Sequence, residues 1–213
     1  MKNRNIVIVD YGLGNIKSMY NAIKFVNLKP PTITADCNKI KSADAIVLPG
    51  VGAFSEGMKN LNKLGLSNLL LDFVATGKPF LGVCLGMQML FDESEEFGIT
   101  SGLGIVKGKV NKLSLDNNLK FPHVGWNTIF EPSVDRWQNT ILQDIENNSD
   151  MYFVHSFVAQ PEFKSDILAN TQYGNNIFCS AVRHNNVFGT QFHPEKSSKI
   201  GLKILEKFIN IIN

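Results

Sequence analysis

Three short, unbroken apolar runs constrain this chain more than anything else in it: "IVIV" at 6–9, "AIVL" at 45–48 and "PFLGV" at 79–83. Each is about one strand long, and none alternates with polar residues. That pattern belongs to strands buried on both faces, as in a parallel sheet covered by helices. The segments between them agree. After the turn "YGLGN", Ile16, Met19, Tyr20, Ile23 and Val26 follow helical spacing until Pro30 and Pro31 end the helix. "PTIT" reads as a further short strand, and the glycine-rich "PGVGAF" leads into one long helical stretch through "LSNLLLDFVATG". Alternation of this kind predicts an α/β fold with a mostly parallel central sheet flanked by helices. The second half differs. "GLGIVKGKVNKLSL", "FPHVGWNTIF", "MYFVHSFVAQ", "NIFCSAVRH" and "VFGTQFHPE" are strand-like and predict β-rich additions to the sheet. A final helix carries the stripe Ile200, Ile204, Leu205, Phe208 and Ile212, with Ser197 or Ser198 as its cap. No repeat or linker divides the chain, so residues 1–213 read as a single domain.

Charge and cysteine usage narrow the function classes. A formal charge of +2 gives no long-range pull toward nucleic acid or a membrane surface. The first apolar run is too short for a secretory leader, and nothing approaches the roughly 20 apolar residues of a membrane span. Cys37, Cys84 and Cys179 have neither metal-ligand spacing nor a disulfide pattern. The expectation is a cytoplasmic, reducing setting with no metal and no cofactor, where a thiol stays free. Cys37 and Cys179 match no motif and read as structural.

Cys84 is different. In "GVCLGMQ" it stands where a buried strand turns into a segment with Leu85, Met89 and Leu90 at helical spacing. That placement resembles a nucleophile elbow, with small flanking residues making room for substrate and a helix N-terminus behind the thiol. A buried cysteine packing as a small hydrophobe fits the same residues. A nucleophile needs a base, and His193 in "QFHPE" is the candidate, because Glu195 lies two residues on. On an extended segment both side chains project to one side, so Glu195 orients the imidazole and leaves the other nitrogen for a thiol. A solvated turn explains "HPE" by itself equally well. For an oxyanion, the Leu85 N–H and the flexible "PGVG" at 49–52 are candidate donors. "PGVG" lacks the lysine and hydroxyl of a phosphate-binding loop, and "YGLGN" is not a full dinucleotide fingerprint.

Taken together and in order, "GVCLGMQ" and "HPE" resemble the class I glutamine amidotransferases, and "PGVGAF", "PHVGWN", "YFVHSF" and "GTQFHPEKS" resemble the glutaminase subunits of imidazole glycerol phosphate synthases. The resemblance spans essentially the whole chain and implies the class I amidotransferase fold. It implies hydrolysis of glutamine to glutamate and ammonia by a Cys84–His193–Glu195 triad, through a thioester on Cys84. It implies an oxyanion hole at Val51, Gly52 and Leu85, and holds glutamine at Gln88, Glu96 and Ser156. Ammonia would pass to a separate (β/α)₈-barrel cyclase in a heterodimer of the histidine pathway, since 213 residues leave no room for a barrel of about 250. Trp126, Tyr152 and Lys196 would lie at that interface. A paralogous glutaminase feeding a surface-polysaccharide sugar amidotransferase shares the same catalytic motifs. A pyridoxal-phosphate-forming glutaminase, a silent scaffold and a cysteine peptidase are disfavoured by the intact motifs.

Overall fold

The computed structural model describes residues 4–114 and 120–211. In chain order the elements are β1 (Ile6–Val9), α1 (Ile16–Val26), β2 (Thr32–Thr34), α2 (Cys37–Lys41), β3 (Ala45–Leu48), α3 (Phe54–Lys63), α4 (Leu66–Ala75), β4 (Phe80–Val83) and α5 (Leu85–Gln88). There follow β5 (Glu93–Ser94), β6 (Thr100–Ser101), β7 (Gly108–Lys112), β8 (His123–Ile129), β9 (Ser149–His155), β10 (Phe157–Pro161), β11 (Ile167–Tyr173), β12 (Asn176–His184), β13 (Val187–Thr190) and α6 (Ser198–Ile211). The main sheet runs β2-β1-β3-β4-β13-β12-β10-β7-β5-β6, with β11 paired to β12. The pairs from β2 through β13 are parallel. Beyond β13 the pairs made by β12 and β10 are antiparallel, so the β-rich additions extend the parallel half rather than forming a separate body. Strands β8 and β9 make an antiparallel ribbon of their own.

The unbroken apolar runs follow from the layering. Successive residues of β1 feed opposite cores: Ile6 and Ile8 join one, Val7 and Val9 the other. The first core is closed by α1 and α6 through Met19, Ile23, Ile204, Leu205 and Phe208. The second is closed by α3 and α4 through Phe54, Met58, Leu61, Leu70 and Phe73. Burying each such side chain contributes about 1.5–3 kcal/mol. Of the expected stripe on α6, Ile200 is only partly buried, and Ile212 lies outside the described residues.

Several expectations need correction. The long helix after "PGVGAF" is two helices, broken at Gly65, whose φ of +68° suits glycine. The segment after Cys84 is helical for one turn only, from Leu85 to Gln88, so it supplies little of the helix dipole expected behind the thiol. "MYFVHSFVAQ" is two strands that part company at Ser156, and β11 and the small pair β5–β6 are additional. Neither serine caps α6 as expected: the Ser197 hydroxyl turns back to donate to the His193 carbonyl at 2.7 Å. Cys179 is buried, whereas Cys37 is exposed at the start of α2 and is not a core residue. No helix among the described residues is long and apolar enough to cross a membrane.

Candidate active site

Cys84 sits at the C-terminal end of β4 with φ 54° and ψ −110°. A non-glycine residue in such a region costs of order 1–3 kcal/mol and is held by its surroundings. Here its N–H donates to the Thr190 carbonyl at 2.7 Å, and its carbonyl accepts from the Gln88 N–H at 3.0 Å. The flanking glycines explain how so tight a turn closes. A Cβ on Gly82 would lie 2.6 Å from the Gly86 oxygen, and one on Gly86 would lie 1.8 Å from the Leu48 oxygen. The small residues therefore make room for backbone to pack on backbone.

His193 follows β13 after two residues, Gln191 and Phe192, in which the chain bends out of the strand. Its Nδ1 lies 2.8 Å from the Glu195 carboxylate, and both side chains are 2% exposed. The contact arises differently from the expected alternation along a strand. Pro194–Lys196 forms a 3-10 turn, with His193 as its extended N-cap, and that turn swings Glu195 back onto the ring. Ser197 locks the arrangement, since its hydroxyl also accepts the Tyr152 N–H at 3.0 Å. The other ring nitrogen, Nε2, is buried with no hydrogen-bond partner of good geometry. Burial alone would depress the pKa of His193. The Cys84 sulfur and the Glu195 carboxylate outweigh it and push the value up to about 10. The ring is placed between the Cys84 sulfur and a carboxylate, both of which favour its protonated form.

A cavity of about 220 Å³ opens beside the sulfur, lined by Val51, Gly52, Cys84, Leu85, Gln88, Glu96, Ser156, His155 and Phe157 among others. Every residue expected to bind glutamine or its oxyanion is therefore at this one site. Their states differ from the expectation in two ways. The Leu85 N–H already donates to the Gly50 carbonyl at 3.3 Å, and one Glu96 oxygen accepts the Phe54 N–H at 2.7 Å, capping α3. Glu96 retains its second oxygen for a ligand. Gly50 can only be glycine, because a Cβ there would meet the Tyr11 hydroxyl at 2.2 Å. That hydroxyl donates to the Pro49 carbonyl at 2.8 Å, anchoring the strand just before the candidate oxyanion peptide.

Three residues of the site carried no separate signal when read in sequence. Gln191 is fully buried and links Gln88 to Cys84. His123 and His155 form a buried pair, Nδ1 to Nε2, at 2.9 Å. Phe157 offers only a carbonyl to His155 Nδ1, so Nδ1 carries the proton and His155 Nε2 accepts from His123. Burial holds His123 down to about 4, and burial with the neighbouring histidines holds His155 down to about 3, so both are neutral.

Trp126, Tyr152 and Lys196 gather on the surface beyond His193. Trp126 on β8 is 55% exposed and meets Tyr152 edge-on, while the Lys196 ammonium lies 5.6 Å over the Tyr152 ring. Trp126 is therefore not a core residue.

Comparison with known proteins agrees with this geometry. The family described as "Glutamine amidotransferase class-I" matches residues 7–211. The imidazole glycerol phosphate synthase subunit HisH of Pelagibacter ubique is 48% identical over 212 residues, covering 97% of this chain and 100% of that one. The subunit of the same name from Aquifex aeolicus is 44% identical over 202 residues, covering 95% and 94%. Among solved structures, PurLQS from Thermotoga maritima superposes with a TM-score of 0.72 at 18% identity, over 99% of this chain and 100% of that one, a likeness of fold. The chain with the thiol on its elbow and the imidazole beside it belongs to the class I glutamine amidotransferases.

Proposed function

We propose that this chain is the glutaminase subunit of an imidazole glycerol phosphate synthase, acting in histidine biosynthesis through Cys84, His193 and Glu195. The observation that carries the reading is the buried Glu195–His193 pair presenting its second nitrogen toward the strained Cys84 at the wall of a cavity. The imidazolium stabilises a thiolate at Cys84, the form that attacks. Sulfur adds to the side-chain amide carbon of glutamine, and the carbonyl electrons move onto oxygen. His193 then gives its Nε2 proton to the leaving nitrogen. The C–N bond breaks, ammonia departs and a γ-glutamyl thioester remains. Water adds next, losing its proton to His193, and glutamate leaves with the thiolate restored. Glu195 keeps the proton of the ring's other nitrogen in place throughout. Gln88, Glu96 and Ser156 hold the amino-acid end, with Glu96 opposite the ammonium group. Val51, Gly52 and Leu85 take the oxyanion once the Leu85 N–H leaves the Gly50 carbonyl.

Ammonia is consumed by a partner subunit, which we place as a (β/α)₈-barrel cyclase in a heterodimer, docked over Trp126, Tyr152 and Lys196. The relatives' names as synthase subunits, and an exposed aromatic pair with a cation beside the His193 turn, support that placement. The same names favour the histidine pathway over a surface-sugar acceptor, and the setting is cytoplasmic. Cys84→Ser tests the chemistry in the complex. Glutamine-dependent synthesis is expected to vanish while ammonium-dependent synthesis persists, because a hydroxyl is a far weaker nucleophile than a thiolate. Glutamine hydrolysis at the parental rate in that variant would remove Cys84 from the mechanism.

A further inference from the structure

The segment that carries His193 touches Cys84 at more than one point. The Thr190 carbonyl accepts the Cys84 N–H, and two residues after Gln191 comes His193 itself. Gln191 is fully buried, and its backbone N–H donates to the Ser180 carbonyl, continuing the sheet past β13. Its side chain points inward. Nε2 lies 3.7 Å from the Cys84 sulfur, and Oε1 accepts from Gln88 Nε2 at 3.0 Å.

The polarity of that link is fixed from outside. An amide side chain is able to present either end, so the sulfur alone does not decide which end faces it. The Phe157 carbonyl decides it. A backbone carbonyl only accepts, and Gln88 Nε2 lies 3.0 Å from it. The second hydrogen on that nitrogen must then find an acceptor, which is Gln191 Oε1. Gln191 is left with its Nε2 hydrogens toward the sulfur. His155 Nδ1 shares the same carbonyl, so the anchor is itself held on two sides.

A donor at that place favours one ionisation state. In the thiol form, Cys84 donates to the Val154 carbonyl at 3.6 Å. Once ionised, the sulfur no longer donates there and faces a carbonyl dipole of the wrong sign. A compensating donor in the protein interior is worth most where water is excluded. Gln191 supplies it, from the opposite partner set to the one that suits the neutral thiol.

We propose that Gln191 is a further catalytic residue of this site: its amide donates a hydrogen bond to the Cys84 thiolate, with Gln88 and the Phe157 carbonyl enforcing that orientation. The proposal rests on Cys84 being the nucleophile, so its test does not use turnover alone. In a Cys37→Ser background, which removes the exposed thiol, Cys84 alkylation by iodoacetamide is followed across pH by peptide mass spectrometry. Gln191→Met keeps the length and loses the donor. Its alkylation profile is expected to move to higher pH by about one unit. Gln191→Glu keeps an acceptor for Gln88 and turns a carboxylate on the sulfur, so its profile moves further. With the partner present, the glutamine-dependent kcat of Gln191→Met falls about tenfold, with a smaller change in KM. A folded Gln191→Met with the parental alkylation profile overturns the proposal, whatever its turnover. If neither variant folds, the unsubstituted protein answers by NMR. The Gln191 side-chain NH₂ resonances should shift with pH as Cys84 ionises and lose that shift in Cys84→Ser. Resonances indifferent to pH, or equally responsive in Cys84→Ser, overturn it as well.

Discussion

Replacing His123 with phenylalanine should make the protein less stable at pH 8 and close much of that gap at pH 5. The reasoning starts from packing. His123 is 2% exposed and stacks on Phe153 and Tyr173, contacts that a phenyl ring keeps. What is lost is the donor to His155 Nε2. Leaving a buried acceptor unpaired costs about 1–3 kcal/mol, and this sets the deficit at pH 8. Acid then acts on the parental protein more than on the variant. His123 is held down to about 4 in the fold, against 6.5 when unfolded. A depressed histidine stabilises the fold above 6.5, and that contribution is lost as pH falls from 6.5 toward 4. At pH 5 the unfolded chain binds a proton that the folded chain does not. Being 1.5 units below 6.5, at about 1.36 kcal/mol per unit, this is worth about 2 kcal/mol. The variant has no such group, and His155 and the carboxylates act in both proteins. Urea unfolding of the two proteins at pH 8, 6.5 and 5, followed by circular dichroism, should show the gap narrowing by about 2 kcal/mol. A gap that is constant or widens would mean His123 is already charged in the fold, and the tautomer assignment of the pair would fall with it.

Two further outcomes follow from the site. Glu195→Gln should reduce glutamine turnover less than His193→Ala does, because Glu195 orients the ring while His193 moves the proton; steady-state assays of both complexes decide it, and full activity in both would take "HPE" out of the mechanism. Trp126→Ala should weaken association with the proposed barrel cyclase by about 2 kcal/mol while leaving the circular dichroism spectrum unchanged; titration calorimetry measures it, and parental affinity would move the proposed docking surface away from β8.

The parallel half was legible because a strand buried on two faces needs an unbroken apolar run, and "IVIV" and "AIVL" have no other simple reading. The break at Gly65 was not, since "KLGLSNLLL" keeps helical apolar spacing across it and only the glycine hints at a left-handed turn. β11 was hidden for a different reason. "ILANTQY" mixes polar and apolar residues without clean alternation, and a bulge shifts its register against β12 near Ala169. At the site, Cys84, His193 and Glu195 stood out because their chemistry is distinctive at those spacings. Gln191 and the histidine pair did not. A buried glutamine and a neutral histidine look in sequence like any polar residue on a half-exposed strand. Only the pairing of β8 with β9, which sets His123 opposite His155, makes them partners.

The geometry also explains how the proposed catalytic groups come from such distant parts of the chain. β4 and β13 are parallel neighbours, with Val83 opposite Thr190, so their C-terminal ends reach the same edge of the sheet. In an open parallel sheet that edge is where side chains from adjacent strands meet. Cys84 leaves β4 there on a strained turn, and Thr190 holds that turn through the Cys84 N–H. The chain after β13 then has only a few residues in which to place a base. It does so by bending at Gln191 and Phe192 and folding Pro194–Lys196 into a 3-10 turn, whose proline cannot continue a ladder. Ser197 ties that turn to β9, so the base is braced against a second sheet. Cys84 and His193 are thus set just beyond two adjacent strand ends, and their separation depends on the hydrogen-bonded register of those strands. A one-residue slip of β13 against β4 would break the Thr190–Cys84 contact and move the His193 turn along the edge away from the thiol. Register of the central sheet, more than any single side chain, is therefore what sets the Cys84 thiol beside the His193 ring.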